Sequence, residues 1–146
     1  MLELYGHHFS SYTWKVLIAL YENQTPFEFR VIDGEHPNNL NVLEQYSPQK
    51  KFPLLLDGKR AIFESSVIIE YLQRYYPGAI EFIPGGIDEA LEVRTLDRFF
   101  DHYVMSPTQQ IVSDFMRDAT DRDPIAVASA KTMLQQSYYW LENYLE

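Results

Sequence analysis

At residues 50–72 the chain carries the stretch KKFPLLLDGKRAIFESSVIIEYL, which predicts a β-hairpin followed by a helix. The apolar run 54–56 forms the first strand. Asp57-Gly58 is typical of a two-residue turn in which both central residues need a positive φ. Residues 61–63 then form the return strand. The pattern places two antiparallel strands near the centre of the chain.

The helix after this hairpin is predicted to begin at the polar residues Glu64, Ser65 and Ser66. Its apolar residues recur at helical spacing, and they are Val67, Ile68, Tyr71 and Leu72. The first N–H groups of a helix have no partner inside the helix, so this end offers a site to a carboxylate.

Pro53 opens the first strand of the hairpin, where its missing N–H is tolerated. If the Phe52–Pro53 bond is cis, the Phe52 main chain faces outward, and an extended peptide can pair with it. Together with a carboxylate at Ser65, these features describe a site for a short acidic peptide. An ordinary hairpin with a capped helix is the alternative, and this stretch alone favours the alternative.

The composition sets limits on the class of protein. The chain has 146 residues, of which 46% are hydrophobic, so it can form one domain or two small ones. It has no apolar run of membrane-spanning length and no secretory signal at its start, so we expect a cytoplasmic protein. With no cysteine, disulfides, thiolate zinc sites and a protein thiol nucleophile are excluded, and any thiol must arrive on a ligand.

The net charge of −9 is unevenly distributed along the chain. Residues 1–77 hold seven Lys/Arg and nine Asp/Glu, whereas residues 78–146 hold five and twelve. An acidic protein is a poor partner for nucleic acid, which requires a basic face. A small anion can still bind where the basic residues of the first half gather.

The residues before the hairpin predict a β-α-β unit. A strand over 2–5 is followed by a loop and by an apolar helix that either Ser10 or Ser11 caps. A second strand covers 27–31, and a strand-helix-strand unit of this length predicts parallel strands. With a short helix over 38–46, the order through the hairpin and its helix becomes β-α-β-α-β-β-α.

The rest of the chain predicts a second, helical domain. Pro84 and three glycines mark 78–86 as a linker. We therefore expect one domain over 1–77 and an all-α domain over 87–146.

The helical domain is predicted to begin with a helix that Pro107 kinks. The apolar face of that helix consists of Leu91, Leu96, Phe99, Phe100, Tyr103 and Val104. Asp123 is predicted to cap the last helix, with Pro124 in its first turn.

Two motifs in this order resemble those of the glutathione transferase family. The segment SPQKKFPLLLDGKRAIFESSVIIEYL resembles the family motif NPxGKVPxLxx…ESxAIxxYL, and LYGHHFSSYTWKVLIAL resembles its first strand and helix, particularly the SSCSWRVRIAL form of the zeta class. The resemblance implies a thioredoxin-like α/β first domain, a partial all-α second domain, glutathione as co-substrate, a role in detoxification and a homodimer.

The resemblance also implies roles for residues of the first domain. Lys51 matches a basic residue near the glycyl carboxylate of glutathione. Phe52 matches the residue whose main chain pairs with the cysteinyl part, and Pro53 matches the cis-proline. Glu64 and Ser65 match the pair that holds the γ-glutamyl end.

Ser10 matches the serine whose hydroxyl faces the glutathione sulfur, and Ser11 is the rival donor. A free thiol is mostly protonated at neutral pH. A hydroxyl that donates to the sulfur near a helix N-terminus favours the thiolate, so the serine acts as a donor and not as a nucleophile. A plain helix cap is the alternative role.

Three positions depart from the family motifs. Lys50 stands where a glycine is usual, and Phe52 replaces Val or Ile. Tyr12 replaces the cysteine of the zeta form, so zeta-type isomerase activity is not implied. Family members are also longer and contain a central helix that this chain lacks, so we expect the helical domain to be incomplete, with exposed apolar sides.

A pocket for an apolar substrate is a further hypothesis, with walls formed by His8, Phe99, Tyr103 and Met116. Packing in a core or a dimer is the favoured interpretation of the last three. His7 and His8 are adjacent and have no further ligands at a suitable spacing, so we expect no metal site.

The sequence therefore predicts a glutathione transferase that conjugates glutathione to small apolar electrophiles. The alternative is a binding or scaffold module with the same fold and no turnover. A thiol reductase is disfavoured because no cysteine can form a mixed disulfide.

Overall fold

A computed structural model describes residues 1–146 and divides into two compact units, Met1–Gly85 and Gly86–Glu146. The elements of the first unit follow the predicted order. They are β1 (Leu2–Gly6), α1 (Ser11–Glu22), β2 (Phe27–Val31), α2 (Pro37–Tyr46), β3 (Leu54–Asp57), β4 (Arg60–Phe63) and α3 (Ser65–Tyr75).

These strands form one mixed sheet in the order β2-β1-β3-β4. β1 and β2 are parallel, as the β-α-β pattern predicts, whereas β1–β3 and β3–β4 are antiparallel. This is the expected thioredoxin-like arrangement, and the helical region follows it.

The apolar run in β3 is explained by burial of both sheet faces. Leu55 packs with residues of α1 and α3 on one face, whereas Leu54 and Leu56 pack with Leu43 of α2 on the other. Successive side chains of a strand point to opposite faces, so a strand covered on both sides is continuously apolar.

The hairpin turn differs from the predicted one by a single position. Asp57 pairs with Arg60 at the end of the ladder, so the central residues are Gly58 and Lys59. Only Gly58 of these two has a positive φ, of 58°. Glycine at the first central position is typical of a type II′ turn and not of the expected type I′ turn.

The segment predicted as a linker contains no helix or strand, yet two amide side chains bind it. Asn23 donates to the carbonyl of Ile80 at 2.9 Å and accepts from its N–H at 2.8 Å. Gln73 makes the same pair of bonds with Ile83, both at 2.7 Å. Most of this segment is therefore part of the first unit.

The second unit is helical throughout, as predicted. Its elements are α4 (Ile87–Phe99), a π-helical segment (Phe100–Met105), α5 (Ser106–Phe115), a 3₁₀ turn (Ala119–Asp121) and α6 (Pro124–Leu145). Asp123 caps α6 by accepting from the N–H groups of Ile125 and Ala126, which confirms the predicted start. None of the helices has both the length and the apolar character needed to cross a membrane.

Several residues of the apolar face predicted for the first of these helices are exposed. Leu91, Phe100 and Tyr103 are 57%, 44% and 52% exposed. A unit with so few helices cannot cover every apolar side chain. The helix also changes from α-helical to π-helical winding after Phe99. Side chains beyond Phe99 therefore do not continue the face that α-helical spacing predicts.

Pro107 coincides with this change of winding, where a kink was expected. Because proline has no N–H, the carbonyl of Tyr103 loses its α-helical donor. The hydroxyl of the buried Ser137 in α6 lies 2.9 Å from that carbonyl oxygen and is also 2.9 Å from the carbonyl of Met133. The hydroxyl thus joins α6 to the π-helical segment.

We expect Ser137→Ala to lower the free energy of unfolding by about 1–2 kcal/mol, because the hydrogen bond from this buried hydroxyl to the carbonyl of Tyr103 is lost. Urea unfolding measures the change. The control is Ser129→Ala, at an exposed position of α6, which should change stability by less than about 0.5 kcal/mol. Equal effects of the two substitutions would contradict the role of Ser137.

Candidate functional site

Three predicted site segments lie at one edge of the sheet. Tyr5 near the end of β1 is opposite Leu54, the first residue of β3, and Leu54 is opposite Phe63, the last residue of β4. The turn after β1, the segment before β3 and the start of α3 after β4 therefore leave the sheet at the same edge. These segments carry Ser10, Phe52–Pro53 and Glu64–Ser65, respectively.

Ser10 is the N-cap of α1, and its hydroxyl oxygen accepts from the N–H of Thr13 at 3.2 Å. The cap uses one acceptor lone pair and leaves the hydroxyl proton available to another group. The two roles considered for Ser10, cap and donor, are therefore compatible.

Ser11, the rival donor, is placed differently. Its hydroxyl oxygen is buried and has no hydrogen-bond partner. Ser10 and Ser11 are both half-buried as residues, but the hydroxyl oxygen of Ser11 is enclosed. A ligand sulfur that approaches from solvent therefore cannot reach the Ser11 hydroxyl without a rearrangement.

The Phe52–Pro53 bond is cis, as expected, and Pro53 is buried. Lys51, the residue before Phe52, is held in place through its main chain. Its N–H donates to the hydroxyl of Ser47 at 3.1 Å, and that hydroxyl donates to the carbonyl of Lys51 at 3.0 Å. Sequence reasoning treated Ser47 only as the end of a helix and missed this contact, although serine before proline is a common turn signal.

The start of α3 is not a capped helix, so the alternative favoured from residues 50–72 alone is wrong on this point. No side chain caps α3, and its N-cap residue Glu64 has a φ of 71°. A non-glycine residue with positive φ is uncommon and often marks a functional site. Ser65 is buried directly after it, and Lys15 of α1 donates to Ser66 at 3.2 Å.

A second polar cluster, which sequence reasoning missed, anchors α3 at the opposite edge of the sheet. Asp57 accepts from the hydroxyls of Tyr71 at 2.8 Å and of Tyr76 at 2.6 Å. The bond to Asp57 raises the pKa of Tyr76 to about 12, and the same bonds lower the pKa of the Asp57 carboxyl. The positions of Tyr71 and Tyr76 in the sequence do not indicate that both hydroxyls donate to the Asp57 carboxylate of β3.

Two of the residues proposed as an apolar pocket lie close together within the second unit. In the second unit the rings of Phe99 and Tyr103 are 5.6 Å apart, and Phe99 also contacts Trp140 at 4.4 Å. Met116 is 79% exposed at the end of α5. In the first unit the ring of His8 packs 5.2 Å from that of Phe29.

Residues 4–79 match the sequence-family model described as the N-terminal domain of glutathione S-transferase. The chain belongs to the glutathione S-transferase family. Glutathione S-transferase F7 of Arabidopsis thaliana is 37% identical over 78 residues, which are 51% of this chain and 36% of the relative. A glutathione S-transferase of Pseudomonas putida is 32% identical over 110 residues, 75% of this chain and 48% of the relative. The chain thus spans about half or less of the length of these curated family members.

Solved structures of the glutathione S-transferase family share the fold over nearly the whole chain. A glutathione S-transferase from Methylobacillus flagellatus superposes with a TM-score of 0.86 at 20% identity, covering 98% of this chain and 69% of the other. A family member from Pseudomonas fluorescens, solved with bound glutathione, gives a TM-score of 0.83 at 20% identity and covers 98% and 71%.

Proposed function

We propose that the first unit binds glutathione and that the protein is a glutathione transferase acting on small apolar electrophiles. The observation that carries the proposal is the meeting of three segments at one sheet edge: the Ser10 turn, the cis Phe52–Pro53 segment and the uncapped start of α3. A structural relative with the same fold was solved with bound glutathione. The residues of 1–77 would form the glutathione-binding domain, and the working form would be a homodimer.

In the proposed complex, the main chain of Phe52 pairs with the cysteinyl part of glutathione as an added strand. The unpaired N–H groups at the start of α3, together with Ser65, receive the γ-glutamyl carboxylate. Glu64 accepts from the γ-glutamyl ammonium group. The exposed side chain of Lys51, the residue before Phe52, pairs with the glycyl carboxylate.

These contacts would place the glutathione sulfur at the Ser10 hydroxyl and the start of α1. A hydrogen bond from the hydroxyl and the positive end of the helix both favour the thiolate. The thiolate electron pair then forms a bond to an electrophilic carbon, and the leaving group departs with the electron pair of the bond that breaks.

Calorimetry with glutathione tests the proposal on the wild-type chain and on Ser65→Ala. A hydrogen bond to a charged group contributes about 1.5–3 kcal/mol, so we expect the substitution to weaken binding roughly 10- to 100-fold. Ser129→Ala is the control and should bind as the wild type does. Equal affinity of Ser65→Ala and wild type would remove Ser65 from the site.

A scaffold module without turnover is the second candidate, because the second unit exposes large aromatic side chains on α6. Tyr138, Tyr139 and Trp140 are 51%, 70% and 41% exposed. Glutathione binding without conjugation of an activated aryl halide would favour this candidate. No binding by a folded wild-type chain would count against both a transferase and a glutathione-binding module.

A further inference from the structure

His7 is the one side chain in the turn after β1 that contacts both the Ser10 turn and the Phe52 segment. Its ring stacks on that of Phe52, with centroids 6.0 Å apart and an interplanar angle of 26°. Its Nδ1 accepts from the N–H of Phe9 at 3.1 Å, and its carbonyl accepts from the N–H of Ser10 at 3.0 Å. One residue therefore touches both halves of the proposed glutathione site.

The bond from Phe9 specifies the state of the imidazole. A neutral imidazole has one donor and one acceptor nitrogen, so an acceptor at Nδ1 places the proton on Nε2. Protonation adds a hydrogen at Nδ1, directly toward the N–H of Phe9. Two donors then face each other, so the hydrogen bond that joins the ring to the main chain of Phe9 is lost.

We propose that His7 is a positioning residue that couples the Ser10 turn to the Phe52 segment, so that glutathione binds more tightly when the imidazole is neutral. The inference rests on the proposed function of this site. Because histidine is the side chain used to sense pH between 5 and 8, affinity measured across that range tests the coupling.

The charged groups on the neighbouring segments have other contacts. Lys50 forms an ion pair with Glu44 at 3.0 Å, and Asp33, after β2, pairs with His36 at 2.7 Å. Among the titratable residues next to His7 and Phe52 in the sequence, His8 packs on Phe29 and Lys51 is exposed. Neither of these two makes a hydrogen bond to the His7 ring.

The test uses S-methylglutathione, because this ligand has no thiol to titrate. Calorimetry between about pH 7.5 and pH 5.5 should show the wild-type affinity falling roughly fivefold, the effect of one lost hydrogen bond. His7→Phe keeps a ring to stack on Phe52 but has no acceptor and does not titrate. We expect it to bind roughly fivefold more weakly at pH 7.5, with no further loss at pH 5.5.

The control is His102→Phe, at an exposed position of the second unit, which should keep the wild-type pH dependence. A merely structural role for His7 would give a weaker variant with that dependence unchanged, and this outcome overturns the inference. Wild-type binding that does not vary with pH also overturns it and leaves the proposed function standing. No wild-type binding at pH 7.5 overturns both.

Discussion

Replacing Ser10 with alanine should lower kcat/KM for conjugation of an activated aryl halide about a hundredfold, and replacing it with aspartate should lower kcat/KM at least as much. Both substitutions remove the hydroxyl proton that would stabilise the thiolate, and loss of one such donor typically costs 10²–10³ in rate. The aspartate carboxylate also repels the thiolate. The pH dependence of kcat/KM should move to higher pH in both variants, because the glutathione thiol ionises less readily. Steady-state kinetics over a pH series measure both effects.

The two Ser10 variants separate catalysis from helix capping. Alanine removes the cap on Thr13 and should lower the free energy of unfolding by about 1 kcal/mol, whereas aspartate caps as well as serine does. Ser10→Thr keeps both the proton and the cap and should stay close to wild type. Ser11→Ala should also stay close to wild type, and a larger loss there than in Ser10→Asp would make Ser11 the donor.

The order of elements in the first unit could be predicted because its signals are local. Strand alternation, the glycine of the hairpin and the serine before α1 act within a few residues of one another. For this reason the cap at Asp123 was predicted, and the cap of α1 was limited to Ser10 or Ser11, of which the structure shows Ser10. The one-position error in the hairpin turn came from assigning Asp57 to the turn when it pairs with Arg60 in the ladder.

Contacts that join distant segments could not be predicted from spacing. The hydroxyl of Ser137 bonds to the carbonyl of Tyr103, 34 positions earlier, only because α6 packs against the π-helical segment. His7 was interpreted as a plain loop residue, since nothing in its neighbours indicates that its ring stacks on Phe52. The contact of His7 with Phe52 follows from the sheet register, which places the end of β1 beside the start of β3.

The candidate site depends on how closely α1 approaches the end of β1. Gly6 is the last residue of β1, and a Cβ at this position would lie 2.5 Å from Cγ2 and 2.7 Å from Oγ1 of Thr13. Carbon atoms in contact normally lie about 3.5–4.0 Å apart. Thr13 is completely buried, and rotation about its χ1 does not relieve the contact fully, because its Cβ would itself lie 3.2 Å from the added atom.

We therefore expect Gly6→Ala to lower the free energy of unfolding by about 1–3 kcal/mol and to weaken glutathione binding, because α1 must move away from the sheet and carry Ser10 with it. Urea unfolding and calorimetry measure the two effects. Gly34→Ala is the matched control, since no atom lies within 4 Å of its added Cβ, and it should change stability by less than about 0.5 kcal/mol. In the double variant Gly6→Ala/Thr13→Ala the second substitution removes the atoms that the new methyl group meets, so the two effects should not add. Additive losses would show that the close approach of Thr13 is not what requires glycine at position 6.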